Sequence, residues 1–233
     1  MDARGGPRMI GSRVGIYGQG GVVPFAFGNA LQFDGVNDFV SLSSSMTLGK
    51  SSSWTISFWY KTTTGGTTFL MGNSGAQRLI YMTSTLLLFN DGVVQKGFTF
   101  TNLTNQTWRH IMVSSNAGSV KAYVDGVVSS TGAVDFTTFA NDFNINAIGR
   151  NLSAYFNGTF DEIAYWGGVA GTDVNATSLY NGGNGAYAYD VIASPNRYYR
   201  LNGSGADTIA IDEGSDLVNG ILNNFSGAYW VAH

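Results

Sequence analysis

Short runs in which apolar and polar residues alternate, broken by Gly, Asn, Asp and Ser, fill most of this chain. A period of two marks a β-strand with two distinct faces. In Trp54-Thr-Ile-Ser-Phe-Trp-Tyr60, residues Trp54, Ile56, Phe58 and Tyr60 share one face, and Thr55, Ser57 and Trp59 the other. Over 36–42, Val36, Asp38, Val40 and Leu42 alternate with Asn37, Phe39 and Ser41. Both registers hold an apolar residue, which predicts a strand buried on both faces. Leu86–Phe89 and Val93–Val94 flank Asn90-Asp91-Gly92, and Val120–Val124 and Val127–Val128 flank Asp125-Gly126. Both read as hairpins, because Asp-Gly accepts the positive φ angles of a type I′ turn. Residues 143–150 and 158–166 read as two more strands. One short helix is predicted further on. Asp173 or Thr172 can cap it, Ala176, Leu179 and Tyr180 give it a partly apolar face, and Gly182 and Gly183 can end it.

Composition fits that pattern. The 233 residues suffice for one substantial β-sandwich. Hydrophobic residues make up 44% and charged residues only 12%, with 32 glycines, as expected for many strands joined by tight turns. With no cysteine there is no disulfide framework and no thiolate metal site. No apolar run is long enough to predict a signal peptide or a membrane span.

Charge adds a division. The net charge of −3 argues against nucleic acid as a partner. In the first 13 residues Arg4, Arg8 and Arg13 stand against one acid, Asp2, so the rest carries −5. This Gly-rich basic arm has too little apolar surface to fold alone. Either it packs on its own domain or neighbouring subunits of an assembly hold it, with Arg4, Arg8 and Arg13 as assembly contacts. The expected organisation is an N-terminal arm over 1–28, a core over 29–183 and a C-terminal extension over 184–233. The extension is expected to pack on the core or on a neighbouring subunit.

Four segments occur in a telling order. They are Ala30-Leu-Gln-Phe-Asp-Gly-Val-Asn-Asp-Phe-Val40, then Trp54–Tyr60, then Trp108-Arg-His-Ile-Met-Val113 leading to Ala122-Tyr-Val-Asp-Gly126, then Gly158-Thr-Phe-Asp-Glu-Ile-Ala-Tyr-Trp166. Over roughly 29–182 the chain resembles the laminin-G-like branch of the concanavalin A-like lectin/glucanase superfamily. The resemblance implies an all-β fold, a jelly-roll β-sandwich of two antiparallel sheets with one short helix. The tail Tyr198-Tyr-Arg-Leu-Asn202, Asp212-Glu-Gly-Ser215 and Asn219-Gly-Ile-Leu-Asn-Asn224 looks like the segment that normally precedes the Phe-Asp-Gly strand, here placed after the Asp-Glu strand. That order resembles laminin-G-like proteins encoded by bacteriophages, marine ones especially. The tail would fill the slot an N-terminal strand fills elsewhere or donate itself to the next subunit, and either protects a sheet edge.

The candidate chemistry is sparse. Retaining glycoside hydrolysis needs two carboxyl groups about 5–5.5 Å apart. The chain has only two glutamates, Glu162 and Glu213. Asp161 and Glu162 are adjacent, so in a regular strand they point to opposite sides. His110 and His233 suggest no nucleophile–base constellation, and Gly18-Gln-Gly-Gly21 is too short for a phosphate loop. The chain therefore reads as a non-enzyme. The resemblance implies one cofactor, a calcium ion near the Phe-Asp-Gly turn and the Asp-Glu strand, with Asp34, Asp38 and Asp161 at the matching positions. The alternative is that Asp34 and Asp38 are ordinary turn residues bonded to their own backbone. Lectins stack aromatic rings on sugars, so Trp59, Tyr81, Tyr155 and Trp166, with Asn157 nearby, are candidate glycan contacts. They compete with a role in the core.

Two function classes follow. The first is a virion structural protein of a bacteriophage, a capsid decoration or head-fibre subunit. It would be a homo-oligomer bound to the major capsid protein or other virion proteins. The second is a carbohydrate-binding adhesin that touches host-surface glycans.

Overall fold

The computed structural model describes residues 26–63 and 65–233. Arg4, Arg8 and Arg13 therefore lie outside the described residues. The strands run in chain order as β1 (Asn29–Asp34), β2 (Phe39–Leu48), β3 (Trp54–Thr62), β4 (Thr68–Asn73), β5 (Ala76–Met82), β6 (Leu86–Asn90), β7 (Gln95–Thr99), β8 (Arg109–Asn116), β9 (Ser119–Val124) and β10 (Val127–Val128). They continue as β11 (Val134–Asp135), β12 (Phe143–Ile148), β13 (Arg150–Asn151), β14 (Ala154–Tyr155) and β15 (Asn157–Gly167). The helix α1 (Asp173–Tyr180) and the single turn α2 (Ala188–Val191) follow. Strands β16 (Arg197–Tyr199), β17 (Ile209–Ala210), β18 (Gly220–Asn223) and β19 (Trp230–Ala232) close the chain.

Two antiparallel sheets face each other. One has the order β10-β9-β8-β3-β15-β1-β19, with β11 on β9 and β16 on β15; the other has the order β17-β18-β2-β12-β4-β5-β6-β7. The alternation in β3 sorts as the sequence predicts. Trp54, Ile56, Phe58 and Tyr60 enter the core between the sheets with Phe33, Phe89, Phe136 and Phe160. Burial of these rings at roughly 25 cal/mol per Å² is the main stabilising term.

The Asp-Gly hairpin holds its predicted geometry, with Asp125 at φ 51° and Gly126 at φ 75° between β9 and β10. The Asn90-Asp91-Gly92 turn joins β6 to β7, and Asp91 Oδ1 accepts from the N–H groups of Val93 and Val94. Thr172 caps α1 in a capping box with Asn175. One expectation changes. The strand at 36–42 is buried on one face only: Val40 and Leu42 point inward, while Phe39 and Ser41 on the other register stay partly exposed. Phe39, on the other register, lies outside under the Arg150 guanidinium, 4.5 Å away. The Phe-Asp-Gly turn joins strands of different sheets, β1 and β2.

The tail belongs to the sandwich. β16 pairs with β15, β18 with β2, and β19 with β1. The segment after residue 184 thus supplies strands to both sheets and covers the outer edge of β1 within its own chain.

Candidate functional site

The two tryptophan candidates are not on the surface. Trp166 is fully buried in a second cluster with Met112, Tyr123, Ala176, Leu179 and Tyr198, and its indole N–H donates to the Ile192 carbonyl at 3.0 Å. Trp59 is 4% exposed and packs against Tyr180, His110 and Phe27. Both point to the outer face of the nine-stranded sheet, but α1, α2 and the tail cover that face. Neither ring can stack on a sugar.

Tyr81 lies elsewhere. Its half-buried ring stacks on Phe69 of the neighbouring strand β4, with centroids 5.7 Å apart and planes 26° from parallel. Its hydroxyl donates to Gln95 Oε1 at 2.5 Å, which fixes the ring's direction. Burial pushes that hydroxyl's pKa up, so it is a neutral donor. The pair borders an open cleft of about 370 Å³ on the outer face of the eight-stranded sheet, closed on one side by Leu79 and Asn90 and on the other by the β13–β14 hairpin. Asn151 lines the cleft from that hairpin. It is 6% exposed, and its Oδ1 has no hydrogen-bond partner. Leu152 follows at φ 50°, a left-handed position that reverses the chain at once. Phe69 and Asn151 were not legible beforehand, since nothing in the sequence sets Phe69 beside Tyr81 or folds Asn151 over both.

Tyr155 and Asn157 sit beyond the cleft. Tyr155 lies 6.5 Å from Phe39, with the Arg150 guanidinium 5.7 Å from its ring. Asn157 faces Asp34 across β1 and β15 and fills the space beside Gly35. The proposed glycan residues thus divide into three places, and only Tyr81 borders the cleft.

The calcium candidates divide too. Asp34 and Asp38 come together: the Asp34 N–H donates to Asp38 Oδ2 at 3.1 Å, and Asp34 Oδ1 accepts from Val36 and Asn37. Burial raises the Asp38 pKa, and Asp38 Oδ1 is buried without a partner. An orphaned carboxylate oxygen beside a second carboxylate fits a hard cation. Asp161 does not join them. It lies four residues along β15 from Asn157, roughly 13 Å at strand rise. Among the described residues no three Asp, Glu or His groups converge on a metal position.

The argument that Asp161 and Glu162 point apart is corrected. Their strand carries a β-bulge: Asp161 pairs with Trp59, but the next partner of β3, Ser57, meets Ala164. Glu162 takes the left-handed φ of 49° inside the bulge. The extra residue puts both carboxyl groups on the outer side, around Trp59. Asp161 Oδ2 meets His233 Nδ1 at 2.7 Å, and the His233 ring is sandwiched between Phe27 and Trp108 at 3.4 and 3.8 Å. Glu162 accepts from the Tyr198 hydroxyl and pairs with Arg200 at 3.3 Å. Burial raises both acids, Asp161 strongly and Glu162 to about 7, and the neighbouring charge of Glu162 adds to the rise at Asp161. Burial pushes His233 down to about 4. Both directions favour the uncharged forms at the His233–Asp161 contact. The space beside Glu162, His110 and Ser57 is about 10 Å³, room for one water and not for a sugar. His110 bonds Ser57 Oγ at 2.8 Å, yet both are buried, and burial holds the imidazole down at about 3.

A laminin-G family model of the concanavalin A-like lectin/glucanases superfamily matches residues 34–173. The chain belongs to this superfamily. Its sandwich is similar to that of a candidate carbohydrate-binding protein from Bacteroides ovatus, with a TM-score of 0.65, 19% identity and 90% of this chain covered. The chain spans 62% of the length of that structure. It is also similar to the heptameric pentraxin of Limulus polyphemus, with a TM-score of 0.56, 14% identity, and 88% of this chain and 95% of that one covered. At these identities the likeness shows the fold, including the tail strands that lie beyond the family match. No curated protein sequence matches the chain.

Proposed function

We propose that this superfamily member is a non-catalytic carbohydrate-binding module whose ligand sits in the Phe69–Tyr81 cleft. The observation that carries the reading is the stacked ring pair beside Asn151, because apolar rings with a few fixed polar groups are what a sugar needs from a protein. The lectin-like family and the Bacteroides ovatus fold neighbour support it. The buried acids support the absence of catalysis, since no substrate reaches them. Replacing Tyr81 by Ala should weaken glycan binding at least tenfold on an array or by calorimetry, with a modest loss of stability. Unchanged binding would move the site elsewhere.

Asp34 and Asp38 would hold a calcium ion, Asp38 Oδ1 gaining the partner it lacks and backbone carbonyls or water completing the shell. The ion would supply fixed positive charge at the turn between the sheets and no chemistry beyond that. The melting temperature should then be higher in millimolar calcium than in excess EDTA. Equal values would remove the ion from the account.

The virion reading finds no support among the described residues. Its basic arm lies outside them, and the tail strands are used within the chain.

A further inference from the structure

We infer that Arg150 anchors an acidic group, a carboxylate or a sulfate, carried by the glycan that enters the Phe69–Tyr81 cleft. This rests on the glycan-binding reading above and names the class of ligand. Arg150 is fixed before any ligand arrives. Its Nε donates to the Leu152 carbonyl at 2.7 Å, and its guanidinium lies 4.5 Å from the Phe39 ring and 5.7 Å from the Tyr155 ring. The backbone sets this up. Gly149 at φ 78° and Leu152 at φ 50° help turn the chain into the β13–β14 hairpin, in which Arg150 pairs with Tyr155. Phe39 comes from β2 of the eight-stranded sheet.

Covering Phe39 accounts for the stem of Arg150 but not for its charged end. Both Nη nitrogens reach solvent, and neither bonds to another described residue. Among the described residues no carboxylate pairs with this guanidinium. What remains is a planar pair of N–H donors with a set direction, which matches two oxygens of a carboxylate or sulfate. The rings and the Leu152 bond already hold the side chain, so a ligand does not have to order it. Position joins this fork to the sugar cleft. Asn151, Leu152, Ser153 and Ala154 line the cleft, and Arg150 and Tyr155 are the next pair along the same hairpin. An oligosaccharide lying along the hairpin meets the rings of the cleft with one unit and Arg150 with an acidic substituent.

The test uses the full chain on an immobilised glycan panel in which the same oligosaccharide backbones appear unmodified, sialylated, sulfated and uronate-bearing. Calorimetry follows on the best binder, on its unmodified backbone and on inorganic sulfate alone. The best binder is expected to carry a charge and to bind about tenfold or more tighter than its unmodified backbone, with a smaller margin at high salt. Arg150→Gln should lose most of that margin while melting cooperatively and binding the unmodified backbone as before. Arg150→Lys keeps the charge and the stem over Phe39 but not the planar fork, and should lose most of it too. Unmodified backbones bound as tightly as their charged forms overturn this inference without any variant, so a poorly folded Arg150→Gln does not shield it. The margin kept in either folded variant, or inorganic sulfate bound as tightly as the charged glycan, also overturns it. Each of these leaves the module reading standing. Failure to bind any glycan overturns the module reading and this inference with it.

Discussion

Glu162 shows how a single residue sets a property of the molecule. Its carboxyl group ordinarily titrates at 4.5 and is raised by burial to about 7, with Tyr198 and Arg200 opposing the rise. The folded state therefore holds this proton more tightly than the unfolded chain does. Its contribution to stability is fully present below pH 4.5 and is lost as pH rises to about 7, a change of about 3 kcal/mol. Glu162→Gln mimics the protonated form and should flatten this slope. The variant is expected to melt higher than the parent above pH 7 and close to it at low pH, as thermal melts across pH will read. Parallel profiles would mean that another group carries the dependence. His233 acts in the opposite window: with its pKa held near 4 against an ordinary 6.5, its contribution falls as pH drops between those values.

At the scale of elements, the tail is held by a polar hub as well as by strand pairing. Asp212 lies next to β17 with its side chain fully buried. It accepts from the N–H groups of Tyr198 and Gly214 at 2.8 Å and of Val218 at 2.9 Å. Arg197, 5% exposed in its side chain, lies 3.5 Å from Asp212 and donates to Ser44 of β2 at 2.7 Å, linking the tail to the eight-stranded sheet. Asp212→Ala leaves three N–H groups unsatisfied and the buried Arg197 guanidinium with Asp216, at 3.4 Å, as its remaining carboxylate, so it should cost about 3–5 kcal/mol in urea unfolding. A loss below 1 kcal/mol would mean that strand pairing alone holds the tail. The hairpins at Asp91-Gly92 and Asp125-Gly126 were legible in sequence because a turn is decided by a few adjacent residues. The bulge at Asp161–Glu162 was not. An inserted residue shows only against the partner strand, and it reversed the predicted direction of Glu162. The one-sided burial of β2 was hidden for the same reason, since Phe39 finds its cover in Arg150 of a distant hairpin.

At the scale of the whole molecule, the amino-acid sequence by itself determined the class of fold, the strand phases and the turns. Period-two alternation, Asp-Gly pairs and helix caps act over a few residues, and they read the same whatever surrounds them. Tertiary structure alone decided which alternating face met solvent. The outer face of the nine-stranded sheet looked available for Trp59 and Trp166, and α1 with the tail buried it. It decided that Asp34 and Asp38 meet without Asp161, and that Phe69, Tyr81 and Asn151, far apart in the chain, share one cleft. The physical reason is that strand direction and turn type are local energies, whereas solvent exposure and the assembly of a site depend on long-range pairing, which one residue of register or one covering helix can change.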